Sequence, residues 1–248
     1  DAVRHAVNID GMLAHLDALP AGSVALLHAC CHNPTGQDLS ASEWSAVTDV
    51  IRRRELLPFV DLAYLGLGED LEADAASVRL LARSVPEMLV AVSCSKNFGL
   101  YRERTGALLV LSADKGQADV LGGQLGRIAR TLYSMPPDHG AAIVDRVLSD
   151  AALRSDWSAE LAAMAARILE LRTLLANSLT RHAPGADFSW IPKQRGMFSR
   201  LDTTPEMVAR LRDEHHVYLA PDGRMNIAGV SPANVEHVAQ SIAKVMAG

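Results

Sequence analysis

Lysine is scarce in this chain: Lys96, Lys115, Lys193 and Lys244 stand beside twenty arginines. Basic charge is also outweighed, and a net charge of −5 argues against a general nucleic-acid or anionic-membrane partner. No uninterrupted apolar segment approaches the ~20 residues that a membrane-crossing helix requires. Cysteine is limited to Cys30, Cys31 and Cys94, which show neither metal-ligand spacing nor a framework of pairs. They read as small core thiols in a reducing compartment, so no metal site is expected. Internal repeats, low-complexity tracts and the basic-then-apolar pattern of a secretory leader are not seen, and the expected location is the cytoplasm. What is present is ordinary for a globular protein: 248 residues, 49% hydrophobic and 21% charged, enough for one large or two modest domains.

Apolar runs and helical stripes alternate along the first part. Val24 to Cys30 is continuous and of strand length, without the alternation of a half-exposed strand, which predicts cover on both faces. Ser40-Ala41-Ser42-Glu43 offers a capping box for a helix running to Arg54. Further strands are predicted over residues 57–62, 89–93 and 106–111, with a helix over 75–85 between them. This alternation predicts an α/β layer architecture with a mainly parallel sheet. Helical patterns follow over residues 115–130 and 141–148, then one long amphipathic segment from Asp150 to His182, stopped by Pro184-Gly185. After it the rhythm changes. Short strands are predicted around residues 188–191, 197–201, 217–219 and 225–230, with helices begun at Thr203-Thr204-Pro205 and Ser231-Pro232. This tail reads as a smaller α+β domain joined to the sheet domain by the long helix.

Three polar residues sit where strands end: Asn33, Asp61 and Lys96. In open α/β sheets ligands collect outside the carboxyl ends of the strands, so these side chains are aimed at one edge. Lys96 lies within Ser93-Cys94-Ser95-Lys96-Asn97-Phe98-Gly99-Leu100-Tyr101-Arg102-Glu103-Arg104. An amine there can form a Schiff base with a carbonyl, while hydroxyls and guanidinium make a phosphate site. Pyridoxal phosphate (PLP) requires that combination of an aldehyde partner and a phosphate partner.

Taken together, Cys31-His32-Asn33-Pro34-Thr35-Gly36, Asp61-Leu62-Ala63-Tyr64 and the lysine segment closely resemble the class I aminotransferases of fold type I, in the aspartate and aromatic amino-acid branch. The resemblance continues through Tyr133-Ser134-Met135-Pro136-Pro137-Asp138-His139-Gly140, Gln194-Arg195-Gly196-Met197-Phe198-Ser199 and Gly223-Arg224-Met225-Asn226-Ile227-Ala228-Gly229, and so covers essentially the whole chain. It implies PLP as cofactor, with Lys96 attached to its aldehyde and moving the proton at the substrate Cα. It implies that Asp61 pairs with the pyridinium nitrogen and that Tyr64 and Asn33 hydrogen-bond the phenolic oxygen. Ser93, Ser95 and Arg104 would hold the phosphate, and Arg224 the substrate α-carboxylate beside Asn33. Arg130 would reach across a homodimer interface to a distal carboxylate in the partner's site. Met135 departs from the asparagine of many aspartate aminotransferases, which tilts the expectation toward an enzyme that also accepts aromatic amino acids.

The implied reaction is ping-pong transamination of aspartate or an aromatic amino acid with 2-oxoglutarate, the amino acid and 2-oxo acid being its small-molecule partners. Another fold type I reaction, β-elimination or decarboxylation, is the alternative within enzymes, and two carboxylate-binding arginines argue against it. In that family the Asn-Pro-Thr-Gly segment sits near mid-chain, yet here it begins at residue 33. The expectation is therefore a C-terminal portion, with residues 1–149 as a partial PLP-binding large domain and 150–248 as the small domain with its connecting helix. A phosphate-binding glycine-rich loop and a ring-stacking aromatic would lie in the missing part, and a non-catalytic fragment is the remaining alternative.

Overall fold

A computed structural model of the chain describes residues 5–247. Its elements, in order, are α1 (Ile9–Ala18), β1 (Val24–His28), α2 (Ala41–Arg53), β2 (Leu57–Leu62), α3 (Leu71–Asp74), α4 (Ala76–Ser84), β3 (Met88–Ser93) and β4 (Gly106–Leu111). There follow α5 (Lys115–Tyr133), α6 (His139–Ser149), α7 (Ala151–His182), β5 (Phe198–Arg200), α8 (Pro205–His215), β6 (Arg224–Asn226) and α9 (Val235–Met246). The fold is α/β. Strands β1, β2 and β3 pair in parallel and in sequence order, and β4 closes the row antiparallel to β3. A two-stranded antiparallel sheet, β5 with β6, forms separately near the end of the chain. Among the described residues no helix is long and apolar enough to cross a membrane.

Parallel pairing requires a crossover between neighbouring strands, and α2 and the α3–α4 pair provide them. Helix α2 begins as its sequence dictates: the Ser40 hydroxyl accepts from the Glu43 amide while the Glu43 carboxylate accepts from the Ser40 amide. Its Trp44, Val47, Val50 and Ile51 are buried, as are Ala25, Leu27, Val60, Leu62 and Val90 of the sheet. The other face is half-buried along β2 and exposed along β1. Val24 is 55% and Leu26 65% exposed, so β1 alternates between buried and exposed residues, where its unbroken apolar run predicted cover on both faces.

The long helix α7 starts at Asp150, whose carboxylate accepts from the amides of Ala152 and Leu153. Its buried stripe includes Leu161, Ile168, Leu171, Leu175 and Leu179, and it packs against α6 and α9. The last part departs from expectation in two places. Residues 188–191 form no strand: Phe188, Trp190 and Ile191 are buried through a turn that ends in a 3₁₀ segment, Ile191–Lys193. Residues 217–219 also remain outside the sheet, with Val217 buried and Tyr218 74% exposed. Apolar content signalled burial at both places without fixing the backbone that achieves it. In addition, β6 is shorter than expected and passes at once into a 3₁₀ turn, Ile227–Gly229.

One buried carboxylate fixes the loop that follows β2. Asp74 is 6% exposed and accepts from the amides of Gly66 (2.8 Å), Gly68 (3.0 Å) and Glu69 (3.0 Å). Burial nevertheless raises its carboxyl above the usual carboxylate range, against the lowering effect of those three donors. The folded chain thus holds this proton more tightly than the unfolded chain, and the Asp74 contribution to stability falls as pH rises through the interval between the two pKa values. Removing the side chain leaves three amides without an acceptor at up to ~1–3 kcal/mol each, partly relieved by water. Asp74→Ala is therefore expected to lower stability by about 3 kcal/mol, measured from the urea unfolding midpoint. A loss below about 0.5 kcal/mol would show that this loop does not depend on the carboxylate.

Candidate active site

The turn after β1 is shaped by a second carboxylate. Asp38 accepts from the amides of Cys31 (2.7 Å) and His32 (2.9 Å), and Cys31 takes a left-handed φ of +54°. The His32 ring bonds the Thr35 hydroxyl at 2.8 Å, and burial, together with nearby His28, lowers its pKa. This turn delivers Asn33, whose peptide bond to Pro34 is cis. The Asn33 side chain then makes two directional contacts. Its Oδ1 accepts from Arg224 Nη1 at 2.9 Å, and its Nδ2 donates to the Tyr64 hydroxyl at 3.5 Å.

Tyr64 is 6% exposed and follows the end of β2 by two residues. Burial raises its phenol above the ordinary value, as does the nearby Asp61 carboxylate, while the Asn33 hydrogen bond and the Arg224 charge act in the other direction. Its ring lies edge-on to Phe198 (centroids 6.1 Å apart), and the Lys96 ammonium stands 4.6 Å from the Tyr64 ring centroid. Arg224, the first residue of β6, has its guanidinium 4.9 Å from the Phe198 ring. Lys96, Tyr64, Asn33 and Arg224 are thus linked in one chain of contacts.

The Lys96 segment is anchored on both sides. Asn97 is buried; its Nδ2 donates to Leu65 O, and its carbonyl accepts from Trp157 Nε1 of α7 at 2.8 Å. Phe98 stacks on the Trp157 ring at 4.5 Å. Before the lysine, the Ser95 amide donates to the Ser93 hydroxyl at 3.1 Å. Ser93, Ser95 and Arg104 line a common surface depression with Thr105 and Gly106. Arg104 adopts φ of +52° and its Nη1 donates to Tyr101 O at 3.0 Å. Asp61, half-buried in β2, lies opposite His28 on β1 and Ala91 on β3.

The residues read from the sequence therefore fall into three groups. Asn33, Asp61, Tyr64, Lys96 and Arg224 share the carboxyl-end edge of the parallel strands. Ser93, Ser95 and Arg104 form an adjoining polar depression. Arg130 stands apart, exposed in the last turn of α5. Sequence reasoning missed Asp38, Asp74 and Arg172. Of these, only Arg172 left a signal: it sits one residue after Leu171 and four after Ile168, in the stripe that the apolar spacing marks as buried.

The arrangement has close counterparts. The family model described as aminotransferase class I and II matches residues 2–242. An aromatic-amino-acid aminotransferase of Pseudomonas aeruginosa is 50% identical over 241 residues, covering 97% of this chain and 60% of that protein. The aspartate aminotransferase of Escherichia coli K12 is 42% identical over 246 residues, covering 99% and 62%. The crystal structure of an aromatic-amino-acid aminotransferase from Burkholderia pseudomallei, covalently bound to pyridoxal phosphate, superposes with a TM-score of 0.96 at 46% identity, covering 99% of this chain and 61% of that one. The chain thus spans about 60% of the length of these relatives. Sequence match and superposition agree: the chain belongs to the aminotransferase class I and II family.

Proposed function

We propose that this chain forms the greater part of a PLP-dependent aminotransferase that moves the amino group of aspartate or an aromatic amino acid to 2-oxoglutarate by a ping-pong route. The observation that carries the reading is the contact chain from Lys96 through Tyr64 and Asn33 to Arg224, which joins an amine, a phenol, an amide and a guanidinium at one sheet edge. The donor set fits the cofactor. An amine next to a depression with two hydroxyls and a guanidinium matches an aldehyde that also carries a phosphate. Both kinds of named relative, aromatic and aspartate aminotransferases, support the substrate class.

When bound, PLP supplies a ring that accepts the electrons released at the substrate Cα. This chain would supply several of the groups that hold it. Asp61 would set a carboxylate against the ring nitrogen and favour its protonated form. Tyr64 and Asn33 would hydrogen-bond the phenolic oxygen, while Ser93, Ser95 and Arg104 would hold the phosphate. Arg224 binds the α-carboxylate in a planar fork that lysine lacks. Lys96 Nζ would hold and move the proton at the substrate Cα.

The proposed assembly is a homodimer with shared sites in the cytoplasm, in which residues 1–149 and 150–248 act as large-domain and small-domain portions. Its support is α5: Val120, Ile128, Leu132 and Tyr133 are exposed on the helix that carries Arg130, as an interface helix requires.

Two outcomes follow. Lys96→Ala in the holoenzyme is expected to abolish multiple-turnover transamination while PLP remains bound without a covalent link, since the phosphate contacts survive. Stopped-flow and steady-state assays test this, and substantial turnover without added amine would contradict it. Arg130→Leu is expected to reduce kcat/KM for aspartate far more than for phenylalanine. Loss of one partner of a desolvated charge pair costs ~2–5 kcal/mol, or roughly 30-fold or more, whereas an aromatic side chain has no such pair to lose. Mixing this variant with Arg224→Leu should restore part of the aspartate activity, because one site of a mixed dimer holds both arginines. Equal losses for the two substrates would refute the specificity role. Absence of rescue, in mixtures shown to exchange subunits, would refute the shared site.

A further inference from the structure

The side chain of Arg172 is wholly buried, at 0% exposure, in the middle of α7. Among the described residues no carboxylate hydrogen-bonds to it, and Asp38 acts on its charge only from a distance. Burial lowers its pKa to about 10, so it remains a cation at neutral pH. A charge in this position is costly unless acceptors surround it. Nε is buried without a hydrogen-bond partner, and the two Nη groups donate to six oxygens of one segment. Nη1 donates to Ser199 Oγ (2.7 Å), Gln194 Oε1 (3.3 Å) and Ile191 O (3.3 Å); Nη2 donates to Gly196 O (2.7 Å), Phe198 O (2.7 Å) and Arg195 O (3.3 Å). A flat fork with two outward edges can gather so many carbonyls, and an ammonium cannot.

The segment held in this way is the floor beneath the candidate site. The Phe198 ring faces both Tyr64 and Arg224. Residues 198–200 pair with 224–226, so β5 sets the height of the strand from which Arg224 projects. The Arg195 amide donates to Gly36 O at 2.9 Å, three residues after Asn33. The approach leaves no slack: a Cβ on Gly36 would strike Phe198 O, and one on Gly196 would strike the Cys31 side chain. A shift of residues 194–199 must therefore move the Asn33 turn and β6 as well.

We propose that Arg172 is the positioning residue for substrate carboxylate binding: by gathering the inward-turned oxygens of residues 191–199 it fixes Phe198 and β6, and through them the placement of the Arg224 guanidinium against Asn33. The proposal rests on Arg224 being the carboxylate-binding group. Arg172 acts through this segment and touches neither substrate nor cofactor.

Arg172→Lys in the holoenzyme keeps the charge and most of the volume but loses the fork; Thr173→Ala, an exposed change one residue along the same helix, is the control. The expected result is a folded variant in which the KM for aspartate and the Kd for succinate, an unreactive dicarboxylate, both rise about tenfold, with kcat falling less. Affinity for PLP should change less than threefold. Amide hydrogen exchange should quicken at residues 194–200 and 224–226 and stay unchanged at 24–28 and 57–62. A folded Arg172→Lys with succinate Kd and exchange both within twofold of the parent would overturn the proposal. If the lysine variant does not fold, Ser199→Ala removes one acceptor and leaves the arginine; it should shift the same two readouts by about two- to threefold, and no shift in either would overturn the proposal. A parent enzyme that binds no succinate would instead refute the carboxylate role of Arg224, and the exchange pattern would then decide the positioning role by itself.

Discussion

The side chain of Asn33 joins residues that are far apart in the sequence, and the geometry of the site depends on it. An amide offers one oxygen and one NH₂, and here each has a partner of the right kind: Arg224 donates to the oxygen, and the nitrogen faces the Tyr64 hydroxyl. Arg224 lies 191 residues further along the chain. The contact therefore ties the turn after the first strand to the small sheet near the end. With the Arg224 charge on one side and the phenol on the other, reversing the amide would set two donors against each other. The electrostatic consequences extend to Tyr64, whose phenol is raised by burial and by Asp61 while Asn33 and Arg224 pull it down.

Around that contact the supporting interactions share one strategy: a polar side chain absorbs backbone groups that the loops leave unpaired. Asp38 does so for the turn before Asn33 and Asp74 for the loop after Tyr64, each with its carboxylate on backbone amides. Arg172 is the complement, a buried cation collecting carbonyls. Trp157 extends the same logic to the lysine segment by donating to the Asn97 carbonyl. Loops at the carboxyl ends of strands have no ladder of their own, so their rigidity comes from such side chains. Rigidity there is what catalysis by orientation demands.

Much of this was legible in the sequence, and the reasons are specific. Asn33, Asp61 and Lys96 stand out because each closes or follows an apolar run, and strand ends in an open α/β sheet converge on one edge. Helix α2 declared its start through Ser40 and Glu43. Arg172 was hidden in plain view, since a cation on an apolar stripe is informative only if one asks which acceptors surround it. Asp38 and Asp74 left no pattern, because a carboxylate that caps loop amides has the same local composition as one in solvent. The open face of β1 was misread because an apolar run of this length reports what the residues prefer and not what lies against them. The 3₁₀ turn at residues 191–193 has the same origin.

The central claim is that one lysine, held over Tyr64 by the anchored segment 93–98, is where the cofactor attaches. Borohydride reduction of the PLP-loaded protein followed by peptide mapping tests this directly. Chemical accessibility alone favours Lys115, whose side chain is 91% exposed, so the outcome discriminates between a built site and an accessible amine. The account predicts a single pyridoxyl-phosphate tag on the peptide that carries Lys96. A tag on Lys115, Lys193 or Lys244, or the absence of any tag, would contradict it.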